Sequence, residues 1–137
     1  MTERQELNRK IIEEFRANGG EVVQFAGTPL LLLSTKGAKS GDVRVNPLAY
    51  LPDGDRLVVF GANGGRPTNP GWCHNVLADP RVVVEVGTQR FEATAAVATG
   101  EDRQRLWDLQ MERSRTFPGF AARAGRAIPV VVLTRDA

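Results

Sequence analysis

Two short segments of the chain carry the residues best suited to chemistry, and both suit the binding of an anion. Residues 36–44 (Lys-Gly-Ala-Lys-Ser-Gly-Asp-Val-Arg) place three cations around two glycines. Residues 63–72 (Asn-Gly-Gly-Arg-Pro-Thr-Asn-Pro-Gly-Trp) form a Gly/Pro/Asn segment that leads into a short predicted helix. Glycine lets the backbone approach an anion, Lys and Arg neutralise it, and a helix N-terminus adds free N–H groups. The two segments together predict one pocket for a phosphate-bearing cofactor.

Each of these features also has an ordinary structural explanation. Lys36, Lys39 and Arg44 could be three solvated charges on a hairpin loop, although Arg44 stands inside an apolar strand. Asn69-Pro70 could be no more than a good helix start. Asn75 is harder to dismiss, because a buried amide needs hydrogen-bond partners.

The composition predicts one globular domain and argues against several classes of partner. The chain has 137 residues, of which 42% are hydrophobic and 25% charged, as in ordinary globular proteins. A net charge of +2 is too small to indicate a nucleic-acid partner. No apolar run is long enough to span a membrane, and the charged first nine residues do not suit a secretory signal. The one cysteine, Cys73, fits a reducing cytoplasm, and with His74 as the one histidine no metal site is expected.

The elements that must position the two segments are mainly strands joined by hairpins. Pro47 predicts a bulge or an edge within its strand. We predict a mainly β (α+β) fold, an antiparallel barrel of about six strands with helices packed outside. Leu106, Trp107, Leu109 and Met111 should face the core from one of these helices. The predicted strands are residues 22–25, 30–35, 43–51, 56–61, 81–86, 89–98 and 128–133; the predicted helices are residues 5–18, 70–78, 101–115 and 117–124.

Common catalytic and nucleotide-binding motifs are absent from the sequence. Neither segment has the spacing of a dinucleotide-binding or P-loop motif, and there is no G-x-S-x-G elbow. Cys73 and His74 are adjacent on a predicted helix and diverge by about 100°, so they cannot pair as nucleophile and base. We therefore expect no side-chain acid or nucleophile to drive catalysis.

The motifs in combination resemble the deazaflavin-dependent nitroreductase family. The likeness covers roughly residues 31–133. It implies a single split β-barrel domain over residues 1–137 that uses coenzyme F-420, a deazaflavin, to transfer a hydride to quinones, nitroaromatics or other activated acceptors. The residues that carry it are 35–48 (Thr-Lys-Gly-Ala-Lys-Ser-Gly-x-x-Arg-Val-Asn-Pro-Leu), Gly64-Gly65, 69–75 (Asn-Pro-Gly-Trp-Cys-His-Asn), Leu77-x-x-Pro80 and 128–132 (Ile-Pro-Val-Val-Val).

The resemblance also implies which residues hold the cofactor and the acceptor. The acceptor would contact Ala49, Phe117 and Phe120. No residue is expected to be catalytic itself; placement of the ring does the work, with the Asn75 amide as an orienter. The cofactor's phosphate and acidic tail would lie near Ala38, Lys39, Ser40 and Arg44. The ring would contact Val45, Asn46, Pro47, Leu48, Ala49, Phe60, Gly61, Ala62, Asn63, Gly71, Trp72, Cys73, His74 and Asn75.

This chain departs from the family pattern on both sides of the expected site. Asn63 stands where a basic residue often precedes the Gly-Gly pair. Ala49, Phe117, Phe120 and Arg123 stand where some members have tyrosines, so the acceptor side should be apolar. A reductase dependent on reduced F-420 is the favoured function. An FMN-dependent split-barrel oxidoreductase and a non-catalytic deazaflavin carrier are the alternatives. A homodimer is left open, as is membrane-surface association if the acceptor is a quinone.

Overall fold

Seven antiparallel strands form one curled sheet in the computed structural model, which describes residues 2–137. The strands are β1 (Leu30–Lys36), β2 (Val43–Ala49), β3 (Leu51–Asp53), β4 (Arg56–Phe60), β5 (Arg81–Val86), β6 (Gln89–Val97) and β7 (Val130–Arg135). Their order in the sheet is β2-β1-β5-β6-β7-β4-β3. Because β2 lies at an edge, Pro47 takes no ladder position between two strands, as predicted.

Four α-helices pack around this sheet: α1 (Glu3–Ala17), α2 (Gly71–Ala78), α3 (Gly100–Arg113) and α4 (Phe117–Ala124). α1 begins with a capping box, in which Thr2 Oγ1 accepts from the Gln5 N–H and Gln5 Oε1 accepts from the Thr2 N–H. Short 3-10 turns cover Val23–Phe25 and Asn63–Gly65. In the described part of the chain, no helix combines the length and the apolar character that crossing a membrane requires.

The apolar run of β1 is continuous because helices cover both of its faces. Leu31 and Leu33 pack in one core cluster with Trp72 of α2. Leu32 points the other way and packs with Phe15 of α1. All three leucines are fully buried. Since successive strand residues face opposite sides, α1 and α2 lie on opposite faces of the sheet at β1.

Two groups of ion pairs fasten helices to the sheet. Arg16 at the end of α1 pairs with Glu85 of β5 at 2.8 Å, which lowers the pKa of that carboxyl. Arg105 of α3 and Arg56 of β4 both bind Asp53 of β3, and their hydrogen bonds hold its pKa well below the usual range. These ion pairs hold α1 against β5 and α3 against the hairpin of β3 and β4.

The structure corrects four details of the prediction. Residues 22–25 form a 3-10 turn rather than a strand. The predicted strand 43–51 breaks at Tyr50, whose N–H donates to the Pro29 carbonyl, so β2 and β3 are separate strands. α2 begins at Gly71 with Pro70 as its cap, and Asn69 does not cap it. Met111 is 37% exposed rather than in the core.

Candidate active site

A pair of hydrogen bonds joins the first segment to α2. Asn75 Oδ1 accepts from the Ala38 N–H at 3.0 Å, and Asn75 Nδ2 donates to Thr35 Oγ1 at 2.9 Å. Thr35 is the last buried residue of β1, where the chain leaves the sheet. The amide of Asn75 therefore fixes the loop after β1 against the helix that follows the second segment.

A cavity of about 1490 Å³ opens beside this junction. Its cations differ in their pairing. Arg9 and Arg16 of α1 form ion pairs with glutamates, whereas Lys39 and Arg44 form none in the described part of the chain and are exposed. The cavity is lined by Gln5, Asn8, Arg9, Ile12, Glu13, Arg16, Gly37, Ala38, Lys39, Ser40, Val43, Arg44, Val45, Asn46, Gly71, Trp72, His74 and Asn75. Lys39 and Arg44 thus supply positive charge that no carboxylate neutralises.

A second cavity, of about 500 Å³, adjoins the first. The two share Gln5, Asn8, Asn46, Gly71 and Trp72. The remaining lining residues of the smaller cavity are Thr2, Arg4, Pro47, Leu48, Ala49, Phe60, Ala62, Asn63, Gly64, Asn69, Pro70, Gln110, Ser114, Thr116, Phe117 and Phe120. Together the cavities make one groove, charged at the Lys39 end and largely uncharged at the Phe117 end.

Most residues assigned from the sequence lie on this groove. The expected phosphate residues Ala38, Lys39, Ser40 and Arg44 all line the larger cavity. The expected acceptor contacts, Ala49, Phe117 and Phe120, all line the smaller one. Of the expected ring residues, Val45, His74 and Asn75 line the larger cavity, Pro47, Leu48, Ala49, Phe60, Ala62 and Asn63 line the smaller, and Asn46, Gly71 and Trp72 line both.

Gly61 and Cys73 line neither cavity. They pack against each other behind the groove instead. A Cβ atom at Gly61 would lie 2.5 Å from Cys73 Sγ, so these two residues are in close contact. Burial raises the pKa of the Cys73 thiol to about 12, and the thiol is 1% exposed. Cys73 is therefore a neutral packing residue beneath the groove. The described residues contain no group of His, Cys, Asp or Glu side chains able to hold a metal ion.

Arg126 organises the second segment, and the sequence analysis did not identify it. Its guanidinium donates to the carbonyl oxygens of Gly61 at 3.0 Å and Thr68 at 2.8 Å, and to Asn69 Oδ1 at 2.5 Å. Longer contacts reach the carbonyls of two further residues of the same segment. One side chain thus holds both ends of the loop from residue 61 to residue 69. No local pattern around residue 126 indicates this, since the contacts span about sixty residues.

Helix ends supply a second group of residues that the sequence analysis missed. The smaller cavity is also lined by Thr2, Arg4, Gln5 and Asn8 from the start of α1, by Gln110 of α3, and by Ser114 and Thr116 between α3 and α4. Ser114 Oγ accepts from the Phe117 N–H at 3.2 Å and lies 3.4 Å from Thr116 Oγ1, where either hydroxyl can donate to the other. From Ala49, Phe117 and Phe120 the acceptor side had been expected to be apolar. The structure shows that hydroxyl and amide side chains line it as well.

Comparison with known proteins identifies the chain's family. A family model described as F-420H(2)-dependent quinone reductase matches residues 7–135. The chain belongs to this family. The quinone reductase Rv1261c of Mycobacterium tuberculosis is 42% identical over 110 residues, which cover 78% of this chain and 74% of that protein. The expected resemblance to F-420-dependent reductases is confirmed, and the chain is an F-420-dependent oxidoreductase.

Solved structures agree with this assignment. An F-420-H2-dependent reductase has a TM-score of 0.70 and 33% identity, covering 77% of this chain and 93% of its own. A domain-swapped dimer has a TM-score of 0.73 and 27% identity, covering 96% of this chain and 99% of its own. The predicted split-barrel fold is confirmed.

The residues of the groove fit coenzyme F-420 chemically. Lys39 and Arg44 are unpaired cations, as an anionic phosphate requires. Pro47, Leu48 and Trp72 supply apolar surface in the adjoining smaller cavity, as a flat ring system requires. The groove therefore offers positive charge at one end for the cofactor's phosphate and apolar surface further along for its ring.

Proposed function

We propose that this chain reduces a quinone-type acceptor with reduced coenzyme F-420 held along the whole groove. One observation carries the proposal: a cavity with two unpaired cations joins a smaller, largely uncharged cavity across Gly71 and Trp72. The first suits a phosphate and an acidic tail, and the second suits the ring together with a small acceptor. This family assignment favours F-420 over the FMN alternative and an enzyme over a carrier.

On the cofactor side, three groups of this chain have defined tasks. Lys39 and Arg44 bind the anionic part, and the Asn75 amide holds the Lys39 loop in position. The start of α2 has no side-chain cap, so the N–H groups of Gly71 and Trp72 are available to carbonyl oxygens of a ring. A Cβ at Gly71 would meet nothing within 4 Å, which leaves open space at this helix end.

On the acceptor side, packing fixes the wall of the cavity. Phe117 lies edge-on to Phe60 at 5.2 Å and to Trp107 at 5.1 Å between ring centroids, so its orientation is set. The cofactor supplies the hydride chemistry when bound. The protein orients the two reactants relative to each other. No acidic or histidine side chain lines the smaller cavity within residues 2–137, so the final proton comes from water.

Titration with F-420 tests the cofactor part of this proposal. Lys39→Ala and Arg44→Ala should each weaken F-420 binding by about tenfold to a hundredfold, because a charge-assisted hydrogen bond contributes about 1.5–3 kcal/mol. Lys10→Ala is the matched control, since Lys10 is exposed on α1 and lines neither cavity. Unchanged affinity in both groove variants, or tighter binding of FMN than of F-420, would contradict the assignment. Turnover of reduced F-420 with menadione tests the acceptor class.

We propose further that the protein is a homodimer in the cytoplasm. The dimer proposal is supported by a 27% identical structure that is itself a domain-swapped dimer, and by the edge strand β2, where Val43 is 70% exposed. The location rests on the single reduced cysteine, Cys73. Light scattering of the purified protein gives the mass; a value of about 15 kDa, the mass of one chain, would exclude the dimer.

A further inference from the structure

The smaller cavity contains one ionisable side chain among the described residues that line it, and that side chain is Arg4. The other lining residues are apolar, amide, hydroxyl or glycine. Arg4 makes no ion pair within residues 2–137, in contrast to Arg9 and Arg16 on the same helix. Arg4 is exposed, and an unneutralised guanidinium in a mainly uncharged cavity is able to bind negative charge through charge-assisted hydrogen bonds.

One hydrogen bond to an amide side chain orients Arg4 toward the second segment. Arg4 Nη2 donates to Asn63 Oδ1 at 3.1 Å, and Asn63 Nδ2 donates in turn to the Thr68 carbonyl at 3.1 Å. Among the residues that the structure describes, Asn63 is the one non-glycine residue with a positive φ, which is 50°. Such a left-handed backbone conformation persists where the surrounding structure enforces it. One hydrogen bond leaves most of the five guanidinium N–H donors available to a ligand.

We propose that Arg4 binds a carbonyl oxygen of the quinone acceptor and stabilises the negative charge that forms on it during reduction. The inference rests on the proposed function. The quinone takes up two electrons and one proton as a hydride from reduced F-420, which is oxidised, and becomes a hydroquinone monoanion. Water then supplies the second proton. A positioned donor at a developing oxyanion is a recognised source of rate enhancement.

The location of Arg4 argues for the acceptor rather than the cofactor's phosphate. Arg4 lines the smaller cavity together with Phe117 and Phe120, and it does not line the larger one, where Lys39 and Arg44 lie. The phosphate has two unpaired cations in its own cavity. The acceptor cavity has Arg4 and no other formal charge among the described residues.

Equilibrium binding tests this inference without turnover. The probes are 2-hydroxy-1,4-naphthoquinone, an anion at pH 7, and neutral menadione, which is similar in size. Both are titrated into the protein saturated with oxidised F-420. Arg4→Gln, which keeps an N–H donor for Asn63, should weaken binding of the anion at least tenfold and of menadione less than twofold. Arg4→Lys should stay within about threefold of the wild type for both. Lys10→Gln, a charge loss outside both cavities on the same helix, should change neither.

Turnover adds a second readout. Arg4→Ala should lower kcat/KM for menadione at least tenfold while the affinity for F-420 changes less than twofold. Millimolar guanidinium chloride, but not equal sodium chloride, should restore part of that loss. Equal weakening of the anionic and neutral probes, or wild-type turnover by Arg4→Ala, would overturn the role of Arg4 and leave the proposed function intact. A wild-type protein that reduces no quinone would instead overturn the proposed function.

Discussion

Two substitutions of Asn75 can separate its effect on the position of the Lys39 loop from its effect on the stability of the fold. Replacement of Asn75 by Ala removes the acceptor of the Ala38 N–H and the donor to Thr35 Oγ1. Replacement by Asp keeps an acceptor for Ala38, and the Thr35 hydroxyl can reverse its bond and donate to the second carboxylate oxygen. The two variants therefore differ in hydrogen bonding and in charge, and each change has its own readout.

The expected magnitudes follow from these contacts. Each neutral hydrogen bond contributes about 0.5–1.5 kcal/mol. Since Ala38 is exposed and water can replace one partner, Asn75→Ala should lose about 1–2 kcal/mol, or about 4–8 °C in Tm. Asn75→Asp should keep nearly the wild-type Tm. Its carboxylate, in the cavity of Lys39, should repel the cofactor's phosphate by roughly 1–2 kcal/mol at an intermediate effective dielectric constant.

Two measurements on each variant separate loop positioning from the charge effect. They are thermal unfolding without cofactor, and fluorescence titration with F-420 at low and high salt. We expect weaker binding by about tenfold in both variants, and a binding defect that shrinks with salt in Asn75→Asp alone. F-420 affinity equal to the wild type in Asn75→Asp would mean that no anion binds near this loop. Normal affinity with slow turnover in Asn75→Ala would instead favour the ring-orienting role first expected for Asn75.

Two further predictions concern the support of the groove. Arg126→Lys replaces the planar guanidinium, which binds several groups of the loop at once, by a single ammonium group. We expect the free energy of unfolding in urea to decrease by roughly 2–4 kcal/mol and F-420 to bind more weakly. An unfolding midpoint equal to that of the wild type would show that Arg126 does not hold the loop. The folded pKa values of Asp53 and Glu85 lie below their ordinary values of 3.8 and 4.5, so their stabilisation is present above those values and is lost as pH falls below them. The urea concentration at the unfolding midpoint should therefore be constant between about pH 6 and 8 and should decrease below about pH 4.5. In Glu85→Gln this decrease should be less steep, because one of the two carboxylates is gone. A decrease as steep as in the wild type would contradict the reasoning.

Local signals in the sequence determined the elements that carry the groove. The apolar run of β1, the valine-rich β5 and the hairpin from β3 to β4 form close to their predicted limits, because hydrophobic pattern and turn residues act over a few positions. For the same reason Lys39 could be placed on the loop between two strands, and Arg44 within the strand that follows it. The family resemblance added the cofactor, which those residues alone left open as a phosphate-bearing molecule.

Segments without a strong pattern were decided by their neighbours in the fold. Residues 22–25 are β-prone, but they lie beside α1 and pair with no strand, so they form a 3-10 turn. The strand predicted over residues 43–51 ends early, because the Tyr50 N–H is taken by Pro29. The first segment is held by local hydrogen bonds, from the Phe25 N–H to Val22 and from the Ala26 N–H to Val23, whereas in the second a bond to a distant residue ends the strand.

The supporting residues of the site were decided by tertiary structure alone. Arg126 is 65 residues from Gly61, Arg4 is 59 from Asn63, and Asn75 is 37 from Ala38. Arg126 and Arg4 look like ordinary surface residues in the sequence. Asn75 was singled out there, but its pairing with Ala38 and Thr35 was not, because carbonyl, amide and N–H groups are present along the whole chain. Only the packing of α1 and α2 on opposite faces of β1, and the return of the chain after α4, brings these partners within hydrogen-bonding distance.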